Sequence, residues 1–408
     1  MHILMVTPGL PYPLQQGRAI RTYGVLHGMV QAGFRVTLLS FHDAPAESLH
    51  DTPLAALCEQ IITVPAPPPR PISQRLTDVL FSGRADLEGR LSSAAMTQAL
   101  QELVTDQAFD AVQFEGVELG AYLLALKALH PHIPMIYSAH NAEADLQRVI
   151  ADIDAADLTR LHIAVYSRVQ ANRLQRFESA VCHAADHVIA VSDEDAALLT
   201  TMHGGRAVAV IPSGVFADQY ATPPQTPFPL EQNPLVFTGK MDYRPNVDAM
   251  LWFGERILPK ILEQTGATLY VVGQKPHRRL AALGADPHIH LTGWVEQVQP
   301  YLYAAAVYVA PLRMGSGTRL KLLEAMAAGC AIVATPIAAA GLNSAVRAHM
   351  RLADDETRFA QAVIQLLKDP TLRQHLGAAA QHSVREHYDW GALVTQIKQV
   401  YEGMALGG

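Results

Sequence analysis

Cysteine is scarce in this chain. Cys58, Cys182 and Cys330 are the only three in 408 residues, and no two form a CxxC pair. A disulfide framework is therefore excluded, and a reducing compartment fits. Long apolar runs are missing as well. The N-terminal "MHILMVTPGLPYP" is broken by prolines too early for a secretory leader. The uncharged, apolar stretch "AAGCAIVATPIAAAGL" is interrupted by Gly329, Thr335 and Pro336 and is too short to span a bilayer. The expected location is cytoplasmic, and peripheral contact with the inner face of the cell membrane is compatible with it. Nor is there an excess of positive charge. Residues 1–214 carry a net −8 and residues 215–408 a net +1, which argues against a nucleic-acid partner. An anionic ligand would have to be held by local cations and backbone amides.

Several chemical signatures are absent too. There is no GxxxxGK[ST] phosphate loop, no complete GxGxxG fingerprint and no GxSxG elbow. Asp152 and Asp154 have a DxD spacing but follow no strand. His288 and His290 share one strand face without a third ligand. No metal site is expected from either pair.

Alternation is what the chain does have. Short β-branched runs at 2–6, 35–41, 60–64, 110–114, 134–138, 187–191 and 208–212 are separated by longer segments, several with helical periodicity. The scheme repeats with strands at 234–238, 267–273, 288–293, 306–311 and 330–335, and helices at 246–264, 296–304 and 317–328. Strands alternating with helices predict parallel sheets covered on both faces. Half the residues are hydrophobic, and the length suits two domains. The Pro-rich stretch "IPSGVFADQYATPPQTPFPLEQNP" reads as the linker. "VPAPPPRP" at 64–71 reads as a surface loop, and "RPISQRLTDVLFSGR" after it as a covering helix that could touch lipid. The expected division is an N-terminal domain over 1–214 and a second over 215–387. A C-terminal helix over 388–408 carries the stripe Trp390, Leu393, Val394, Ile397 and Tyr401, and is expected to pack back on the first domain.

Ligands of open parallel sheets bind outside the carboxyl ends of the strands, so the loops after strands are the places to search. The most informative is "APLRMGSGTRLKLLEAMAAG". Gly315, Ser316, Gly317 and Thr318 would bring bare amides to a helix start, and Arg319 and Lys321 add positive charge. The pattern reads as a phosphate cradle or as a glycine turn with a solvated basic helix start. Glu324 lies on the apolar side of that helix and needs a partner, either a ribose diol or a structural cation. In "FTGKMDYRPNVDAM", Gly239 ends a strand, Lys240 and Arg244 add charge, and Asn246 can cap the next helix. In the first half, Gly17 and Arg18 open a helix after the first strand. Glu115 follows "AVQF", and His140 and Asn141 follow "PMIYS".

The segments "FTGKMDYRPNVDAMLWF" and "LTGWVEQVQPYLYAAAVYVAPLRMGSGTRLKLLEAMAAGCAIVATPIAAAGL", with the opening "HILMVTPGLPYP", resemble the retaining family 4 (group 1) glycosyltransferases of GT-B fold. The likeness covers nearly the whole chain. It is similar to the bacterial sugar transferases of exopolysaccharide-type gene sets. The resemblance implies an α/β architecture of two Rossmann-like, doubly wound domains facing a central cleft. It implies a hexosyltransferase of the EC 2.4 class that works without a metal or other cofactor. Its co-substrate would be a nucleoside-diphosphate sugar, UDP- or GDP-linked. Its acceptor would be a glycan, a lipid-linked molecule or a small molecule.

By motif match, the resemblance places Lys240 near the donor pyrophosphate, Glu324 on the ribose, and the backbone at Val295 against the base. Gly239, Arg244, Lys321 and the Gly315–Thr318 loop complete the donor side, with Gly17 and Arg18 closing on the diphosphate. His140 stands near the transferred sugar. With Lys240 and Arg319 it forms the expected catalytic set. Glu115 and Asn141 are the acceptor-side candidates. Two departures from the family pattern stand out. Ser316 occupies the first Glu of a Glu-x7-Glu motif, and Pro245 occupies a Lys, so Arg319 or Lys321, with or without Arg244, is expected to supply the missing charge. The rival readings are a sugar-nucleotide epimerase or phosphorylase on the same scaffold, and a non-catalytic sugar-nucleotide-binding protein.

Overall fold

A computed structural model describes residues 1–14, 16–42, 49, 51–71, 77, 82–155, 161–223, 228–315 and 317–406. The sequence-predicted covering helix after residue 71 falls largely outside these, as does Ser316. The chain divides into two compact units, one of Met1–Ser213 with Leu393–Gly408 and the other Gly214–Ala392.

The first unit is built on β1 (His2–Thr7), β2 (Arg35–Phe41), β3 (Gln60–Val64), β4 (Ala111–Glu115), β5 (Met135–Ser138), β6 (His187–Ala190) and β7 (Ala209–Val210). All pairings are parallel, in the order β3-β2-β1-β4-β5-β6-β7. Every residue of β1 and β4 is buried, as expected for central strands covered on both faces. One face packs Leu4, Val6, Val112, Phe114, Met135 and Tyr137 into the core. The helix Gly17–Gln31 follows β1 and buries Arg21, Thr22, Val25, Leu26 and Met29. It ends where Gly33, at φ 88°, lets the chain turn into β2.

The second unit repeats the plan with β8 (Pro234–Thr238), β9 (Thr268–Val272), β10 (Ile289–Gly293), β11 (Val307–Ala310), β12 (Ile332–Ala334) and the short β13 (Arg351–Leu352). Its order, β10-β9-β8-β11-β12-β13, is again all parallel. Strand order reverses between β1 and β4 in one sheet and between β8 and β11 in the other. At such switch points the neighbouring loops diverge and leave room for a ligand. The two-residue β13 has no β-branched run to announce it in the sequence.

Three readings change in the structure. The glycine-rich helix begins at Leu320, preceded by a left-handed Gly317 and an extended Arg319. The segment expected to be a linker is packed in its first part. Val215, Ala217 and Tyr220 are at most 4% exposed, and Val215 bridges to Asp389. An aromatic or aliphatic side chain every few residues supplies enough apolar area to hold it down. Asn246 lies inside the helix Arg244–Trp252 and does not cap it; Tyr243 holds the cap position and makes no capping bond.

The helix Pro370–Tyr388 gives way at Asp389 to the helix Trp390–Leu406. Asp389 accepts hydrogen bonds from the amides of Ala217 (2.9 Å) and Gly391 (2.9 Å), which fixes the bend. Leu393, Ile397 and Tyr401 are buried, and from Leu393 onward the chain belongs to the first unit.

Candidate functional site

In the second unit the candidate site lies at the carboxyl ends of β8 and β11. Thr238 leads into Gly239, whose φ of 152° favours glycine, and Lys240 follows exposed with its ammonium 3.6 Å from Asp242. After β11 the loop 311–319 carries Gly315 (φ 130°) and Gly317 (φ 74°) and enters the helix Leu320–Ala327. Behind Gly317 stands Gly341, at φ 79°. A Cβ on Gly341 would lie 2.8 Å from the Gly317 carbonyl carbon and oxygen. Position 341 therefore has no room for a side chain.

Lys321 is the deep cation of this site. Its ammonium donates to Asn246 Oδ1 at 2.6 Å and sits 4.1 Å from the centre of the Phe237 ring. Asn246 Nδ2 donates in turn to the Lys240 carbonyl at 2.9 Å. The side chain thus ties the Gly239 turn to the glycine-rich helix. Burial, then the charge of Arg319, pushes the Lys321 pKa down to about 7, against the pull of Glu324. One turn on, Glu324 is pushed up to about 7 by burial, with the Tyr220 hydroxyl and Lys321 opposing. Tyr220 donates to Glu324 Oε1 over 3.4 Å. This carboxylate has one long hydrogen bond and one neighbouring ammonium, and retains acceptor capacity. Arg319 folds back, donating to the Gly317 carbonyl at 3.1 Å. Thr318 donates to the Gly341 carbonyl at 3.4 Å. Arg244 opens the helix containing Asn246, and Val295 follows Gly293 and the exposed Trp294 at the end of β10.

In the first unit, the ends of β4 and β5 meet. Glu115 is fully buried and pairs with Ser138 across the ladder. His140, two residues past β5, lies with Nε2 2.8 Å from Glu115 Oε2. Burial alone would raise the Glu115 pKa. The hydrogen bond and charge of His140, then Arg21 and Gln113, outweigh it and leave the pKa lowered. Arg18 donates to Glu118 Oε1 at 2.7 Å, and Gly17 is exposed at the helix start. Asn141 donates to Glu143 Oε1 at 2.8 Å; burial pushes Glu143 up to about 7 despite that bond. Among the described residues, no three or more of His, Cys, Asp and Glu stand together so as to hold a metal ion.

The structure thus brings together Gly239, Asn246, Lys321 and Glu324 in one unit, and Glu115 with His140 in the other. Lys240 contacts Asp242, and Arg319 contacts the Gly317 carbonyl. Sequence reasoning passed over Tyr220, Gln113, Arg21 and Gly341, and read Tyr401 only as part of an apolar stripe. Tyr220 lies in a stretch without periodicity. The others carry no local signal until their partners are known. Among the described residues no helix is long and apolar enough to cross a membrane.

Two all-parallel sheets, each with a switch point in its strand order, define a two-domain α/β protein. Comparison makes the class specific. The chain matches "Glycosyltransferase Family 4" over residues 17–219 and "Glycosyl transferases group 1" over residues 232–369. It belongs to this glycosyltransferase family and has the GT-B fold. A phosphatidyl-myo-inositol mannosyltransferase of Mycobacterium leprae is 32% identical over 229 residues, covering 54% of this chain and 60% of that protein. The match therefore spans less than two thirds of that relative. Sucrose-phosphate synthase from Thermosynechococcus elongatus superposes with a TM-score of 0.74 at 18% identity, with both chains fully covered. Anabaena HepE, solved in complex with UDP, gives a TM-score of 0.63 at 14% identity, covering 99% of this chain and 100% of that one.

Proposed function

We propose that this chain is a retaining hexosyltransferase. It would move a hexose from a nucleoside-diphosphate sugar to an acceptor hydroxyl, without a metal, in glycan or exopolysaccharide biosynthesis. The observation that carries the reading is the Lys321–Glu324 pair beside the Gly315–Gly317 turn. A deep cation beside loop amides suits a diphosphate, and a carboxylate with acceptor capacity suits a ribose diol. The relatives support the class, since a mannosyltransferase matches in sequence and a UDP complex in fold.

In the proposed reaction the second unit holds the donor. The amides of Gly315 and Gly317 and the cations Lys240, Arg319 and Lys321 stabilise charge on the departing β-phosphate oxygen. Val295 backbone groups meet the base. The anomeric C–O bond to phosphate breaks, and the acceptor oxygen bonds to the same face. Its proton passes to the leaving phosphate oxygen, so no protein nucleophile is required. From the first unit, His140 orients the reacting sugar, with Asn141 and Glu115 on the acceptor side and Gly17 and Arg18 toward the diphosphate.

Calorimetry with UDP and GDP tests the donor site. One of the two binds wild type, and Glu324→Ala weakens it by roughly 1–3 kcal/mol. Equal binding by wild type and variant removes the ribose assignment. Turnover of a donor sugar without any acceptor would point to an epimerase, and loss of transfer in EDTA would remove the metal-free mechanism.

A further inference from the structure

His140 ends a hydrogen-bond chain that begins on the C-terminal helix. The Tyr401 hydroxyl donates to Gln113 Oε1 at 2.6 Å. Gln113 Nε2 donates to Glu115 Oε1 at 2.6 Å. Glu115 Oε2 meets His140 Nε2 at 2.8 Å. Gln113 and Glu115 are two residues apart on β4 and so share one face of the sheet. Tyr401 arrives from 288 residues away.

The chain has a single consistent polarity. An ionised carboxylate only accepts, so Gln113 must offer its NH2 to Glu115 and its carbonyl oxygen to Tyr401. Burial, then the Glu115 charge, raises the Tyr401 pKa, so the phenol keeps its proton and donates. At the other end, His140 Nε2 must carry a hydrogen, leaving Nδ1 as the second ring nitrogen. Gln113, Glu115 and Tyr401 are fully buried, whereas the His140 side chain is 12% exposed. A network serving only to satisfy buried groups could close on itself. This one runs outward and ends on the ring that reaches the surface.

We propose that Tyr401 and Gln113 are positioning residues which, through Glu115, set the orientation and protonated nitrogen of His140. The inference rests on the transferase reading for its purpose, but its structural content can be tested without turnover. Charged and titratable groups around the chain are Arg18 and Arg21 from the helix after β1, Glu118, Glu143 and Asp195. None of them is altered by the variants below.

The test uses the full chain with 15N-labelled histidine, assigning His140 by its loss in His140→Gln. In wild type, Nε2 of His140 is protonated and its N–H exchanges slowly. Tyr401→Phe, which keeps ring and shape, and Gln113→Met each speed that exchange by about 10-fold or populate the other tautomer. Gln396→Ala removes a different anchor of the same helix, the 2.9 Å bond to the Val210 carbonyl, and leaves His140 unchanged. In transfer assays the two relay variants lose about 10-fold in kcat with donor Kd unchanged, as expected for a displaced catalytic group. An unaltered His140 signal in both relay variants overturns the proposal. So does an equal change in Gln396→Ala, which would mean general loosening of the helix. If the signals move as expected but wild type transfers no sugar, the positioning stands and the transferase reading falls.

Discussion

Burial makes Lys321 and Glu324 each cost stability in the folded chain. An unfolded lysine titrates near ~10.4 and an unfolded glutamate near ~4.3, whereas both folded groups titrate at about 7. For Lys321, the unfolded chain binds the extra proton between those values, so stability is lost as pH falls from ~10.4 to about 7. For Glu324, the folded chain holds the proton instead, so stability is lost as pH rises from ~4.3 to about 7. Both penalties are present at neutral pH. Lys321→Met and Glu324→Gln are therefore expected to raise Tm at pH 7 while weakening nucleoside-diphosphate binding. Paired thermal-shift and calorimetric measurements check this, and a lowered Tm in both would contradict it. A bound diphosphate would raise the Lys321 pKa, so binding at pH 8 takes up a proton. Calorimetry in buffers of different ionisation enthalpy should then give different apparent enthalpies; identical values would exclude the linkage.

At the scale of elements, the turn after β8 and the loop before the helix Leu320–Ala327 depend on glycines with little space around them. A Cβ on Gly239 would lie 2.7 Å from Asn246 Nδ2 and 2.8 Å from Lys321 Nζ. Gly239→Ala also adds the cost of a side chain at φ 152°. It is expected to displace Lys321 and reduce nucleotide affinity by about 10-fold or more. Gly341→Ala presses on the Gly317 backbone and is expected to destabilise the protein by roughly 1–3 kcal/mol, read from denaturant midpoints. A wild-type midpoint in Gly341→Ala would show that the two loops can separate without cost. The helix start at Leu320 belongs to the same scale. The sequence extends the helix back to residue 317, but Gly317 is left-handed and Arg319 is extended and makes no capping bond to the helix amides.

At the scale of the molecule, the last helix completes the first unit across a long stretch of sequence. Ile397 and Tyr401 are fully buried, and Gly28 leaves room where a Cβ would press on Ile397. Each such side chain stabilises by about 1.5–3 kcal/mol. Ending the chain at Ala392 is expected to lower Tm markedly and to speed amide exchange in the helix Gly17–Gln31. Unchanged exchange there would show that the helix is dispensable. Alternation of apolar strands with helical segments was sufficient to place the two parallel sheets and most of their strands, because burial on both faces leaves a local mark. The glycine loop, Lys321, Glu324, Glu115 and His140 were visible for a related reason: parallel sheets deliver chemistry at strand ends, and those ends can be counted off the sequence. Which cation lies deep, that Tyr220 reaches Glu324, that Gly341 backs Gly317, and that Tyr401 reaches Gln113 were decided only in three dimensions. Each is a contact between residues distant along the chain, and hydrogen bonding and desolvation depend on neighbours that no local pattern records.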